Sequence, residues 1–177
     1  MKVPFSWLRE YCDPGLTAAE VAELLSARAV EVERVAHLGP PTPDGFVIGR
    51  VISADRHPNA DRLRVCVVEA GDGERTIVCG APNVAAGQTV AVALPGAVMP
   101  GGQKLAKAKL RGVESAGMIL AEDELELGDD HDGIMVLGEI GLAPGTPLTE
   151  LIAVSEEVLE LDLNPNRSDC LNVYGVA

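Results

Sequence analysis

The chain has 177 residues, of which 47% are apolar, and its formal net charge is −13. This length supports one large domain or two small ones, and no apolar run approaches the ~20 residues that a membrane span needs. The excess of acid disfavours tight binding to a polyanion, because phosphate groups are bound by Lys and Arg.

The first predicted elements are two helices and a strand. Ser6 is a candidate N-cap for a short helix ending at Tyr11, and Thr17 with Glu20 has the spacing of a capping box for a helix ending at about Ala27. Residues 30–35 alternate as a strand does. Because about 39 residues rarely sustain a core without disulfides or metal, we expect another part of the chain to complete this unit.

A stretch rich in proline and glycine, residues 39–45, marks a domain boundary. Beyond it, short β-rich runs recur at intervals of about ten residues, a spacing that predicts a small all-β barrel or sandwich. The predicted runs are 46–53, 62–70, 76–79, 89–94, 104–110 and 134–137. A second stretch rich in glycine and proline, residues 138–147, ends this region.

The C-terminal residues predict a strand followed by a helix. Residues 158–163 alternate as a strand, and Ser168 with Asp169 resembles an N-cap for a helix beginning at Cys170. No C-cap or helix breaker precedes Ala177, so we expect this chain to be part of a longer protein. We therefore predict one discontinuous domain, 1–39 with 151–177, and a second domain spanning 40–150.

Four cysteines, at positions 12, 66, 79 and 170, stand far apart without a CxxC pair. This spacing favours neither a zinc site nor a dense disulfide framework. We interpret them as reduced thiols, which predicts a cytoplasmic protein.

Residues 128–139 nearly match a calcium-binding loop, with Asp130, Asp132 and Glu139 at ligand positions. Gly128 occupies the position of the first carboxylate, and the residues that follow cannot form the exiting helix. We therefore predict an acidic turn and no metal-binding residue.

Charge is strongly segregated along the sequence. From Arg50 to Arg111 there are nine basic residues and five acids, whereas from Gly112 to Glu150 there are ten acids and no Lys or Arg. A fold that places these stretches on different faces would present a modest basic surface, although the overall field would repel nucleic acid at long range. Any binding to nucleic acid should therefore be weak.

The loop from His57 to Asp61 lies between two predicted strands. Pro58 restricts His57 to an extended conformation, and Asn59 can cap the turn with its side chain. Turn formation and ligand contact both remain open for these residues. A single histidine without a neighbouring nucleophile is poor evidence of catalysis.

The run from Lys104 to Arg111 is the strongest local indication of phosphate binding. Strand alternation would place Lys107, Lys109 and Arg111 on one face, where they could follow a phosphate backbone. The same pattern is typical of a solvated edge strand, in which lysines discourage pairing between sheets. The glycines that follow indicate a turn.

Four short strings occur in order in the predicted β region: HPNADRL from His57, VCGAPN from Val78, LPGAVMPGG from Leu94 and LRGVESAGMI from Leu110. This series resembles the tRNA-binding OB-fold module of several aminoacyl-tRNA synthetases. The flanking segments MKVPFSWLREYCD and LDLNPNRSDCLNVYGVA are similar to the N-terminal region of bacterial phenylalanyl-tRNA synthetase beta subunits.

The resemblance implies an α+β chain in which a five-stranded OB-fold barrel is inserted into a small discontinuous domain. It also implies a tRNA-binding surface with a hydroxyl contact from Ser115 and an apolar platform from Met118. Combined with the loop and the basic run, the expected tRNA-binding residues are His57, Asn59, Arg62, Asn83, Lys104, Lys107, Lys109, Arg111, Ser115 and Met118.

For the full enzyme, the resemblance implies ATP- and Mg²⁺-dependent joining of phenylalanine to tRNA by alpha and beta subunits. Aminoacylation would belong to the alpha subunit and editing to later beta-subunit domains, so we expect neither catalytic residues nor cofactors here. Phe46 is the only aromatic residue between Pro40 and Glu150, which disfavours base stacking and favours recognition of a structured RNA. The alternative is a protein-interaction module that assists synthetase assembly without contacting tRNA.

Overall fold

The computed structural model describes residues 1–130 and 132–177. Its α-helices are α1 (Phe5–Tyr11), α2 (Ala18–Arg28) and α3 (Val173–Val176). Its strands are β1 (Lys2–Pro4), β2 (Glu31–Leu38), β3 (Phe46–Arg56), β4 (Arg64–Glu69), β5 (Glu74–Cys79), β6 (Thr89–Ala93), β7 (Ala108–Leu110), β8 (Val113–Ser115), β9 (Met118–Ile119) and β10 (Glu156–Asp162).

The chain forms two compact units. The first combines Met1–Leu38 with Ser155–Ala177, and the second, which we call the OB unit, comprises Gly39–Val154. In the first unit, β10 pairs with β1 on one side and β2 on the other, in both cases antiparallel. Apolar residues of this sheet pack with α1 and α2 around a core that includes Val3, Leu8 and Leu159.

Helix α2 begins as its sequence predicts. The Thr17 hydroxyl oxygen accepts a hydrogen bond from the Glu20 backbone N–H at 3.3 Å, and the Thr17 backbone N–H donates to the Glu20 carboxylate at 2.8 Å. Two backbone donors at the helix start are thereby satisfied reciprocally. The predicted capping box is confirmed.

Two other predicted helix starts are wrong. Pro4 is the N-cap of α1, whereas the Ser6 backbone N–H donates to the carboxylate of Glu156 in β10 at 3.1 Å. Near the C-terminus, Ser168–Cys170 form a single 3₁₀ turn. The N-cap of α3 is Asn172, whose side-chain oxygen accepts from the Gly175 backbone N–H at 2.8 Å.

The OB unit is built on a five-stranded antiparallel sheet in the order β5-β4-β3-β6-β9. Its first strand, β3, pairs with both β4 and β6, and a register shift between Val51 and Ser53 interrupts its pairing with β4. The two edges then approach each other, where the Ala116 backbone N–H donates to the Thr76 carbonyl oxygen at 2.8 Å. This nearly closed barrel has the strand order of an OB fold, so the predicted α+β fold class is confirmed.

Alternation along the strands turns one set of side chains into the barrel. Val51, Cys66, Val68, Ile77 and Val92 belong to one buried cluster inside it. A second buried cluster contains residues from β3 and β6 together with side chains of later loops. Members of that cluster include Phe46, Ile48, Leu120, Leu125 and Leu148.

The predicted basic strand 104–110 is shorter than expected and lies outside the five-stranded sheet. Only β7 is regular, and it pairs with β8 as a two-stranded hairpin. The chain reverses at Arg111 and Gly112, which have φ values of 50° and 99°. The predicted strand 134–137 is also wrong, because Val136 makes only an isolated bridge to Val90.

Two loops of the OB unit meet at a pair of glycines. A Cβ atom on Gly71 would lie 2.5 Å from the Gly145 Cα atom, and one on Gly145 would lie 2.3 Å from the Gly71 Cα atom. Both residues also have positive φ, at 95° and 88°. Glycine is therefore required at both positions, for space and for backbone conformation.

Candidate nucleic-acid interface

The exposed cations of the predicted basic run surround the β7–β8 hairpin. We call residues 107–115 the cationic hairpin. Lys107 precedes β7, Lys109 lies opposite Glu114, and Arg111 occupies the turn. The Lys107 Nζ atom lies 3.9 Å from a Glu114 carboxylate oxygen, and both side chains are well exposed. Such an exposed pair stabilises little, but it reduces the positive charge available to a ligand.

The turn of the cationic hairpin is tied to the loop between β3 and β4. The Asn59 side-chain amide donates to the Arg111 carbonyl oxygen at 3.0 Å, and His57 Nε2 lies 3.1 Å from the Leu110 carbonyl oxygen. The Asn59 backbone N–H donates to His57 Nδ1 at 3.0 Å. Two of these hydrogen bonds tie the loop to a hairpin that lies outside the main sheet, and the third fixes the loop itself.

The partners of His57 define its tautomer. A backbone N–H can only donate, so Nδ1 must be the acceptor, and a carbonyl oxygen can only accept, so Nε2 must carry the proton. The ring is packed inside the protein, and only 5% of the residue is exposed. Both ring nitrogens of His57 therefore bond within the protein, where they position the loop and hairpin, and its contact with tRNA stays a prediction.

Ser115 likewise has an internal role. It is 4% exposed, and its hydroxyl accepts from the Val78 backbone N–H at 3.0 Å while donating to the Gly117 carbonyl oxygen at 3.0 Å. This arrangement joins β8 to β5 where the barrel closes. The Ser115 hydroxyl is thus engaged inside the protein, and its expected contact with tRNA stays a prediction.

Asn83 and Met118 also face the protein. The Asn83 side-chain amide donates to the Ile134 carbonyl oxygen at 2.9 Å and accepts from the Ile134 backbone N–H at 2.8 Å. Met118 is half-buried, lies in β9 opposite Ala93 and packs against a buried cluster. Both side chains therefore help to hold the barrel and its adjoining loop, and their expected contacts with tRNA stay predictions.

Arg62 lies in a groove that the sequence interpretation did not identify. The groove is lined by Arg56, His57, Asp61, Arg62, Leu63, Arg64, Ala81 and Pro82. Arg56 and Arg64 are directly opposite each other in the antiparallel β3–β4 pair. The sequence RHPNADRLR contains both residues, but the pairing register had to be known before they could be placed together.

The remaining predicted cation, Lys104, belongs to a different loop. It makes an isolated antiparallel bridge with Val98 and is exposed. The structure therefore brings together Asn59 and the cations at 107, 109 and 111, and it places Arg62 beside the loop that holds them. Lys104, Asn83, Ser115 and Met118 do not join this group.

Two cysteines of the OB unit lie inside the barrel. Burial raises the pKa of the Cys66 thiol to about 11 and also raises the pKa of Cys79, which disfavours the reactive thiolate. Among residues 1–130 and 132–177, no three His, Cys, Asp or Glu side chains form a potential metal-binding group.

In the predicted acidic turn, the Asp132 backbone N–H donates to the Asp130 carboxylate at 2.9 Å. Position 131, within the segment that resembles a calcium loop, lies outside the described residues. None of the helices in the described ranges is long and apolar enough to cross a membrane.

The barrel and its exposed cationic hairpin define an OB-fold module with a surface suited to a polyanion. Residues 46–146 match the family model described as "putative tRNA binding domain". This match spans more than half of the sequence, and the chain belongs to that family.

The whole chain is similar to curated phenylalanine–tRNA ligase beta subunits. It is 47% identical over 178 residues to the protein of Desulfotalea psychrophila and 49% identical over 179 residues to that of Nitratidesulfovibrio vulgaris. Each match covers 100% of this chain and 22% of the relative. The resemblance inferred from the ordered strings is confirmed, and this chain spans about a fifth of those relatives' length.

A solved structure of a MetRS related protein from Pyrococcus horikoshii is also similar. It has 24% sequence identity and a TM-score of 0.43, and the match covers 57% of this chain and 85% of that chain.

Proposed function

We propose that this chain binds tRNA through the cationic hairpin, as an auxiliary part of a phenylalanine–tRNA ligase beta subunit. The observation that carries the proposal is the fixed position of the exposed hairpin cations, which the Asn59 and His57 hydrogen bonds secure to the barrel. The tRNA-binding family match and the full-chain similarity to the ligase subunits support the choice of ligand.

Binding should be weak and strongly dependent on salt. The net charge of −13 opposes the approach of RNA, and Glu114 partly neutralises Lys107 within the hairpin itself. Each phosphate contact contributes about 0.7 to 0.9 to the slope of log affinity against log salt concentration. Lys109 and Arg111, which have no recorded ion pair among the described residues, should supply most of the hairpin's contribution.

We infer that the complete protein works with an alpha subunit and the remainder of the beta subunit in the cytoplasm. ATP, Mg²⁺ and the aminoacylation chemistry would belong to other parts of that enzyme. The described residues of this chain contain no suitable group of metal ligands, and the buried Cys66 and Cys79 are poor nucleophiles. The contribution assigned to this chain is binding and positioning of tRNA.

A salt series with the 177-residue chain and a phenylalanine tRNA transcript tests the proposal. In fluorescence anisotropy at low salt, Lys107→Ala/Lys109→Ala/Arg111→Ala should bind at least tenfold more weakly. Its salt slope should be smaller by about 1.4 to 1.8, the contribution of two phosphate contacts, because Glu114 already neutralises Lys107. A matched control, Arg9→Ala/Arg28→Ala/Arg50→Ala, removes three exposed cations elsewhere. Equal losses in the two triple variants would contradict a specific role for the hairpin.

The competing function is protein interaction during synthetase assembly. It is favoured by the ten acids and absence of Lys or Arg in residues 112–150. In a parallel titration with purified alpha subunit, this alternative requires saturable binding that survives the hairpin substitutions. Saturable alpha-subunit binding without tRNA binding at low salt would replace our proposal with the assembly function.

A further inference from the structure

The arginines at the open end of the barrel form a second surface that the hairpin assignment does not include. We call Arg56, Arg62 and Arg64, with the groove that they line, the arginine groove. Its volume is about 460 Å³. All three arginines are exposed, and Arg56 and Arg64 face each other across the β3–β4 pair.

The pairing register locates the two facing arginines relative to the core. Two residues further into the barrel, Ala54 lies opposite Cys66, and Cys66 is completely buried. Side chains two residues apart share one face of a strand. Arg56 and Arg64 therefore continue the inward-facing rows of the barrel, at its rim, where the apolar core gives way to solvent.

Like charges placed opposite each other in antiparallel strands destabilise the sheet. Within residues 1–130 and 132–177, no ion pair is recorded for Arg56, Arg62 or Arg64. Asp61 lines the same groove without forming an ion pair there, and Arg64 donates only to the Ala54 carbonyl oxygen, at 3.3 Å. In the described part of the chain, no ion pair therefore offsets the repulsion between the facing arginines.

The groove is connected to the cationic hairpin through His57. This residue lines the groove, and its Nε2 atom bonds to the Leu110 carbonyl oxygen at the end of β7. The adjacent Asn59 amide holds Arg111 in the hairpin turn. One loop thus joins the two groups of cations, so that an extended anion could contact both.

We propose that the arginine groove binds phosphodiester groups of RNA. Guanidinium groups suit this ligand because they present several planar donors to phosphate oxygens, and an anion between Arg56 and Arg64 would relieve their repulsion. The assignment rests on the proposed tRNA-binding function and extends its contact surface beyond the hairpin. Arg62 supplies a third donor group along the same groove.

Substitution of the facing pair separates binding from folding. In the 177-residue chain, Arg56→Gln/Arg64→Gln should bind phenylalanine tRNA at least fivefold more weakly at low salt and lower the salt slope by about 1.4 to 1.8. Arg56→Lys/Arg64→Lys, which retains charge but loses the guanidinium geometry, should have intermediate affinity. Arg50→Gln, near the middle of β3 and six residues before Arg56, should change affinity by less than twofold.

The free Gln double variant should have an unchanged or higher Tm, because it lacks the like-charge pair. A lower Tm together with wild-type affinity for tRNA would assign the arginines a purely structural role and overturn the proposal. Wild-type affinity of the Gln double variant, at any Tm, would also overturn the proposal that the groove binds phosphate. It would leave the function proposed for the hairpin intact. Reduced affinity with retained Tm is the result that supports phosphate contact.

A probe other than tRNA tests anion binding by the groove separately from the proposed tRNA-binding function. Sodium tripolyphosphate can be titrated while the side-chain Nε–H signals of Arg56 and Arg64 are followed by NMR. Saturable shifts that disappear in the Gln double variant, without tRNA binding by the wild-type chain, would support the anion groove and contradict the tRNA function. Absence of both responses would overturn both assignments.

Discussion

The side-chain amide of Asn59 donates a hydrogen bond to the backbone carbonyl oxygen of Arg111, with the nitrogen and oxygen 3.0 Å apart. Arg111 has a left-handed backbone conformation, with φ of 50°, at the turn of the cationic hairpin. The loop that includes Asn59 therefore stabilises a turn 52 residues away in sequence. Its influence on ligand binding can be tested separately from the cations themselves.

Substitution of Asn59 by alanine should loosen the hairpin while preserving the barrel. Loss of one hydrogen bond should lower the free energy of unfolding by about 1 kcal/mol, accelerate amide exchange at residues 109–114 and weaken tRNA binding. Hydrogen exchange and anisotropy measure these effects. Asn166→Ala, at an exposed asparagine in the first unit, is the control. Unchanged exchange in the hairpin would contradict the role assigned to Asn59.

The capping box at Thr17 predicts a stability change confined to the first unit. Thr17→Ala removes the hydroxyl acceptor for the Glu20 backbone N–H and should cost about 1 kcal/mol of unfolding free energy. Thr17→Ser preserves the acceptor and should retain most of that stability. Urea denaturation followed by far-UV circular dichroism compares the variants, and equal destabilisation by Ala and Ser would contradict the capping mechanism.

Native cysteine labelling should be selective for Cys12. This residue is exposed, whereas Cys66, Cys79 and Cys170 are buried. Burial raises the pKa of the Cys66 thiol to about 11 and also raises the pKa values of Cys79 and Cys170. Because the thiolate is the nucleophile, iodoacetamide at pH 8 should modify one thiol rapidly.

Mass spectrometry after a short reaction provides the measurement for cysteine reactivity. Cys12→Ser should eliminate the rapid modification without changing labelling of the denatured chain at the other three cysteines. Rapid modification of two or more cysteines in the native wild-type chain would contradict the predicted difference in reactivity.

The Arg167–Asp169 pair predicts an acid dependence of stability. Hydrogen bonding to Arg167 lowers the pKa of the Asp169 carboxyl from 3.8 to about 2. Its stabilisation is therefore fully present above pH 4 and is lost as the pH falls through the interval toward 2. The stability difference between wild type and Asp169→Asn should be largest above pH 4 and should shrink across that interval.

Urea denaturation at successive pH values tests the Asp169 prediction. Asp162→Asn is a matched control, since Asp162 is exposed and lies outside the Arg167 hydrogen bonds. The difference between the Asp162 variant and wild type should not follow the same pH profile. A constant difference between wild type and Asp169→Asn from pH 5 to 2 would contradict ionisation of Asp169 as its source.

Local patterns predicted the parts of the fold that depend on nearby residues. Thr17 and Glu20 specify a helix start within four positions, and alternating valines specify strands through their common face. Ser6 could not be assigned in this way, because its backbone donor meets Glu156 at a sequence separation of 150. An N-cap side chain accepts a hydrogen bond from a backbone N–H two or three residues later. Ser6 instead bonds to Glu156, a residue that only the tertiary structure brings close.

In the candidate interface, too, some features could be predicted from the residue types, whereas others required the pairing register of the strands. The sequence predicted exposure of Lys107 and Lys109, but Lys104 pairs with Val98 in another loop, so that only Ala108–Leu110 of the expected strand 104–110 is regular. Arg56 and Arg64 could be placed opposite each other only after the β3–β4 register was known. The sequence therefore showed which segments carry positive charge. The strand pairing, which joins residues distant in sequence, determined which of these charges share a surface.

The contact between Gly71 and Gly145 limits where the OB unit can accommodate added chain. Neither glycine can be given a side chain without separating the two backbones, so chain added at this contact would also have to push them apart. A Cβ atom on Gly73, by contrast, would meet no atom within 4 Å, although its φ of 117° still favours glycine. Two loops distant in sequence thus depend on each other. Exchange of one loop for a sequence without its glycine would break the close backbone contact with the other.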